Sequence, residues 1–119
     1  MPKKVLIVDD AQFMRLRTAK LLRENGYEVV EAENGEVAVN QFEAHGPDVV
    51  LMDITMPIMD GLAAVKAIRG KHPHARIVMC SALGQQAVVL EAIKAGARDF
   101  LVKPFDPDKI LAALQKQVS

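Results

Sequence analysis

The chain has 119 residues, half of them apolar, and its 15 basic side chains balance 15 acidic ones. That length supports a single core without a metal or disulfide staple, and the composition is neither that of a disordered segment nor that of a membrane span. Zero net charge, with one Tyr, four Phe and no Trp, argues against a nucleic-acid surface, which usually wants a basic stripe and stacking rings.

The lone cysteine, Cys80, permits no internal disulfide, which fits a reducing compartment. Only Val5–Val8 are apolar ahead of Asp9, too short a run for a secretory core of roughly 7–15 residues. A single cytoplasmic domain over residues 1–119, with no membrane or nucleic-acid partner, is expected.

Along the chain, short apolar runs alternate five times with stretches of helical period. Val5–Val8 comes first, followed by residues 11–25, where Met14, Thr18, Leu21 and Leu22 share one face before Asn25-Gly26 stops the helix. Glu28–Ala32 precedes a helix over 35–45 built on Val39 and Phe42. Val49–Met52 precedes a helix over 61–70, with Leu62, Val65 and Ile68 ahead of Gly70. Ile77–Cys80 precedes a helix over 85–95, carrying Val89, Leu90 and Ile93 and ending at Gly96. Asp99–Val102 precedes a helix that Asp106 caps and Pro107 opens, with Ile110, Leu111 and Leu114 on its inner face. Runs rich in Val, Ile and Leu with little polar alternation read as parallel strands buried on both faces. Five βα units are too few for a closed barrel, so an open, doubly wound α/β sheet is expected.

Polar groups gather at the carboxyl ends of these runs: Asp9 and Asp10 after the first, Asp53 after the third, Ser81 after the fourth, Lys103 after the fifth. In open α/β sheets that edge binds ligands, where strand order reverses. Two carboxylates about 4 Å apart repel by roughly 4 kcal/mol at an effective dielectric of 20. Clustered acids therefore call for a raised pKa or a cation, and oxygen-only ligands suit Mg2+ together with a phosphoryl group. Lys103 offers a point charge to a phosphate oxygen and Ser81 a hydroxyl, and one carboxylate can itself be the nucleophile.

Four ordered motifs then define a resemblance. Val-Asp-Asp at 8–10, Met-Asp-Ile-Thr-Met-Pro-Ile-Met-Asp-Gly at 52–61, Cys-Ser-Ala at 80–82 and Phe-Leu-Val-Lys-Pro-Phe at 100–105 resemble a response-regulator receiver domain across essentially the whole chain. The run Ser81–Gln86 is most similar to chemotaxis-type, CheY-like single-domain regulators. The resemblance implies a flavodoxin-like (βα)5 sandwich with strand order 2-1-3-4-5. It implies that Asp53 accepts a phosphoryl group from a histidine kinase's phosphohistidine and that Mg2+ is held by Asp9, Asp10, Asp53 and the carbonyl of Thr55. Lys103, joined to Pro104 by a cis bond, would pair with the phosphoryl oxygens. Ser81 and Phe100 would be the switch residues, altering the face formed by the fourth helix, fifth strand and fifth helix. The implied partners are a sensor histidine kinase and a protein target such as the flagellar motor switch, or a phosphatase, with the chain monomeric.

Phe100 stands where many chemotaxis regulators carry Tyr, and Ser81 replaces the commoner Thr. Leu83 cannot orient an attacking water, which bears on the lifetime of the phosphorylated state. Taken alone, Asp10 could be a helix N-cap, Asp53 reads equally as a cap or a functional acid, and Asp60-Gly61 reads as an ordinary turn. His45, His72 and His74 read as surface residues and Cys80 as a small buried hydrophobe, while Val89 fits either core or a docking patch. A receiver module of a longer regulator with a DNA-binding or enzymatic output is the alternative, although the chain reaches Ser119 without a linker. A flavin enzyme would need a Gly- and hydroxyl-rich loop where Asp9-Asp10 stands. An Asp phosphatase would need a substrate pocket that the short loops do not offer.

Overall fold

The structure, a computed structural model, describes residues 2–104 and 106–118. Phe105, the last residue of the fourth motif, lies outside them, as do Met1 and Ser119. In chain order the elements are β1 (Lys4–Val8), α1 (Gln12–Glu24), β2 (Glu28–Ala32), α2 (Gly35–His45) and β3 (Val49–Asp53). They continue with α3 (Gly61–Lys71), β4 (Ile77–Ser81), α4 (Gln86–Lys94), β5 (Asp99–Val102) and α5 (Pro107–Val118). The strands form one parallel sheet in the order β2-β1-β3-β4-β5, a flavodoxin-like doubly wound α/β fold.

Alternation along the strands divides the interior into two layers. Leu6, Val8, Val50, Met52 and Met79 pack with Phe42 of α2, Val65 and Ile68 of α3, and Val89 of α4. Val5, Ile7, Leu51 and Val78 point the other way, onto Leu22 of α1 and Ile110 and Leu114 of α5. The central strands β1, β3 and β4 are buried on both faces, as their unbroken apolar runs predict. The edge strands differ from that expectation. Every residue of β2 except Ala32 keeps some solvent contact, and Phe100 and Val102 of β5 are exposed. An edge strand has a neighbour on one side only, and there the helices leave one face uncovered.

Helix ends follow local chemistry. Asn34 and Asp60 cap α2 and α3, accepting the N–H of Val37 at 2.9 Å and of Ala63 at 2.8 Å. Asp106 does the same for Lys109 at 3.0 Å. Gly46 closes α2 in the left-handed conformation at φ 54°. Gly70 does not end α3, which continues to Lys71. Of the three histidines, His45 and His74 are exposed. His72 instead places Nε2 2.7 Å from Glu43 and its ring 4.9 Å from that of Phe42, joining the end of α3 to α2. Among the described residues no helix is long and apolar enough to cross a membrane.

Candidate functional site

Strand order reverses between β1 and β3, and the register pairs Val8 with Met52 there. The next residues, Asp9 and Asp53, therefore leave the sheet side by side. One oxygen from each of Asp9, Asp10 and Asp53 lies within 4.8 Å of the others. Asp9 is held from three directions. Its N–H donates to the Ala32 carbonyl at 3.1 Å, its carbonyl accepts from Arg15 Nη1 at 2.7 Å, and its Oδ1 accepts the Ala11 N–H at 2.9 Å. Arg15 is fixed in turn by Glu31 of β2 at 3.0 Å. Asp10 is exposed and makes no cap on α1, whose first turn has no side-chain cap.

The Asp53 side chain is 13% exposed and Lys103 Nζ reaches it from the end of β5, 3.2 Å from Oδ1. The same ammonium lies 3.6 Å from Asp9 Oδ2. Burial pushes the Asp53 carboxyl above its ordinary pKa and Asp9 adds to the rise, although Lys103 and the Ile54 N–H oppose it. Burial pulls the Lys103 ammonium down, but the charges of Asp53 and Asp9 outweigh this and leave it above its ordinary value. One cation thus gains from two anions, whereas each anion has only a share of it. The Lys103–Pro104 bond is cis.

Ser81 is buried, and its Oγ donates to the Leu101 carbonyl at 3.3 Å. Thr55 sits exposed two residues past Asp53, and its Oγ1 accepts from Gln85 Nε2 at 3.0 Å. Cys80, facing the opposite layer, is buried, and desolvation with the nearby Asp53 charge pushes its thiol up to about 12. Phe100 is 46% exposed and, with Leu83, Val89, Leu90, Ile93 and Val102, lines an apolar groove of about 330 Å³ between α4 and β5. Val89 belongs to the core as well, its side chain bridging interior and groove.

Asp9, Asp10, Asp53 and Lys103 are therefore brought into one cluster, with Thr55 two residues past Asp53, while Ser81 points toward β5. Arg15, Gln85 and Gly61, to which the sequence assigns no role at the site, help to shape it. Arg15 carries no motif and is recognisable only once β2 is placed beside β1. Gln85 links two loops and becomes visible only when they are folded. Gly61, as half of Asp60-Gly61, reads in the sequence as an ordinary turn. A Cβ there would lie 2.0 Å from the Asp53 carbonyl oxygen, so only glycine lets α3 start against the end of β3. The Gly61 N–H donates to the Ile54 carbonyl at 2.8 Å, locking the residue after Asp53.

A family model described as the response regulator receiver domain matches residues 5–115, and the chain belongs to that family. Receivers are the phosphorylation-activated switches of two-component systems. Within the family this one is CheY-like: it is 54% identical to chemotaxis protein CheY of Bacillus subtilis over 120 residues, spanning all of both chains. Identity to chemotaxis protein CheY of Thermotoga maritima is 55% over 117 residues, 98% of each. A solved CheX–CheY–BeF3–Mg2+ complex from Borrelia burgdorferi is similar at TM-score 0.91 and 36% identity, covering 98% of this chain and 89% of that one.

Proposed function

We propose that this receiver serves in chemotaxis, with Asp53 accepting a phosphoryl group from the phosphohistidine of a sensor histidine kinase in the presence of Mg2+. The observation that carries the reading is the shared ammonium: Lys103 bridges Asp53 and Asp9 at 3.2 and 3.6 Å, on the rim where a third carboxylate is already crowded in. An all-oxygen donor set with one exposed member suits Mg2+, which keeps waters and takes few protein carboxylates. Asp9, Asp10, Asp53 and the Thr55 carbonyl would hold it. Bound there, it supplies charge neutralisation for the carboxylates and the incoming phosphoryl oxygens.

The chain's own residues do the rest. An Asp53 oxygen attacks phosphorus in line, the P–N bond to the imidazole breaks, and the imidazole leaves with the electron pair. Transfer of this kind depends on positioning and electrostatics more than on a base. The Ile54 N–H holds Oδ1 at 3.0 Å and Lys103 neutralises the same oxygen. The acyl phosphate carries about −1.5 to −2 charge on three acceptor oxygens where the carboxylate carried a single charge. Ser81 then leaves the Leu101 carbonyl to donate to one of them, and Phe100 turns from its exposed position into the space released. The α4–β5–α5 face changes, and a protein target such as the flagellar motor switch, or a phosphatase, is bound there. The chemotaxis role is supported by the two relatives of that name, which match the chain almost end to end.

Intact-mass analysis after incubation with acetyl phosphate tests this. One phosphoryl adduct that needs Mg2+ and disappears in Asp53→Asn is expected; an adduct that survives the substitution overturns the acceptor assignment.

A further inference from the structure

The carboxamide of Gln85 spans two loops that the proposed switch requires to move relative to each other. Its Oε1 accepts the Ala82 N–H at 2.6 Å and its Nε2 donates to Thr55 Oγ1 at 3.0 Å. Ala82 is the residue after Ser81, and Thr55 is two residues past Asp53. Gln85 therefore fastens the loop after β4 to the loop after β3. It stands at the N-cap position of α4, yet its side chain accepts no hydrogen bond from the helix; both ends are spent across the loops.

In this arrangement Ser81 Oγ is turned to Leu101, not to Asp53. When Ser81 moves toward a phosphoryl group on Asp53, the adjoining Ala82 peptide moves with it, away from an acceptor that Thr55 holds in place. Hydrogen bonds made in only one of two states bias the equilibrium toward that state. We infer that Gln85 is a positioning residue that restrains the switch, holding Ser81 in its unphosphorylated position through Ala82 until Asp53 is modified. This rests on the role proposed above for Asp53 and Ser81, and it adds the element that sets their resting balance.

The test combines a site-specific probe of the tie with a kinetic one. In metal-free, unphosphorylated protein, Gln85→Ala is expected to speed hydrogen exchange at the Ala82 amide at least tenfold, with the β4 amides of Met79 and Cys80 unchanged. With acetyl phosphate and Mg2+, it is expected to raise the initial rate of adduct formation about fivefold (about 1 kcal/mol at tenfold per 1.4 kcal/mol). Thr55→Val, which keeps the backbone carbonyl and removes only the hydroxyl, should also raise the rate, and the double variant should be no faster than Gln85→Ala. Loosened packing alone would speed exchange across β4 and would not make the double variant saturate. An unchanged Ala82 exchange rate overturns the proposal, as does faster exchange with an unchanged or slower phosphorylation rate. If the wild-type chain takes no phosphoryl group at all, the Asp53 reading falls and so does the restraint on it, whereas the exchange measurement still reports whether the tie exists.

Discussion

Replacing Gly61 by Ala adds one methyl group where the structure has no room. Its carbon would sit 2.0 Å from the Asp53 carbonyl oxygen and 3.0 Å from both the Asp53 carbonyl carbon and the Ile54 Cα, all backbone atoms of a central strand and its exit. None can rotate away as a side chain would, so the start of α3 or the end of β3 must shift. Gly61 has no positive φ, so the penalty is steric and not conformational. Forced overpacking of this kind costs about 1–3 kcal/mol, and the immobility of the neighbours places this site at the upper end. For a domain of this size the melting temperature should fall by about 10 °C.

Gly70, in the same helix, is the internal control: nothing lies within 4 Å of a Cβ there. Gly70→Ala should stabilise the helix by about 0.5–1 kcal/mol, raising the melting temperature by a few degrees. The same chemical change is thus expected to act with opposite sign nine positions apart. Thermal and urea melts of both variants, with acetyl phosphate labelling of Asp53, are the assay. Labelling should slow in Gly61→Ala and stay unchanged in Gly70→Ala. A Gly61→Ala protein that melts within about 2 °C of wild type would refute the close approach of α3 to β3.

Four other outcomes are expected. Asp10→Ala should weaken Mg2+ binding, read by titration, while leaving the metal-free fold intact because its side chain is exposed. Lys103→Ala should still accept a phosphoryl group but fail to transmit it, so that amide shifts along α4 and β5 no longer respond to phosphorylation. Leu83→Glu, which places a polar group on an exposed position beside Ser81, should change the rate at which the adduct is lost; an identical decay would sink the link to lifetime. Without metal, Asp53→Asn should be more stable than wild type near neutral pH. The native state raises the pKa of Asp53, so it binds a proton more readily than the unfolded chain does. Ionisation therefore costs stability as pH rises through that raised value. The advantage of Asn should shrink as pH falls into the range where Asp53 is protonated, and urea midpoints across pH read it directly.

Much of this architecture was legible in the residues. Unbroken runs such as Val49–Met52 read as strands of a parallel sheet, and the polar residues that close them fall at its carboxyl edge. Hence the sequence alone groups Asp9, Asp53 and Lys103. What escaped depends on neighbours that lie far away in sequence. The run Asp99–Val102 has the same composition as an inner strand, so nothing local announces that Phe100 and Val102 stand at an open edge. Gly70 looks like a helix terminator, yet α3 runs on to Lys71 and closes with the His72 N–H donating to the Ile68 carbonyl at 2.8 Å. Arg15 and Gln85 each act through two hydrogen bonds, to Asp9 and Glu31 and to Ala82 and Thr55, whose geometry no periodicity encodes.

The solitary thiol of this chain sits at the heart of the sheet, beside the acids and sealed from solvent. Only the thiolate reacts readily, so alkylating reagents should pass Cys80 by for as long as β4 remains paired. Capture of that sulfur then becomes a clock for opening of the molecule, intrinsic to the protein and requiring no added dye. Cysteines introduced elsewhere can carry labels without first removing it.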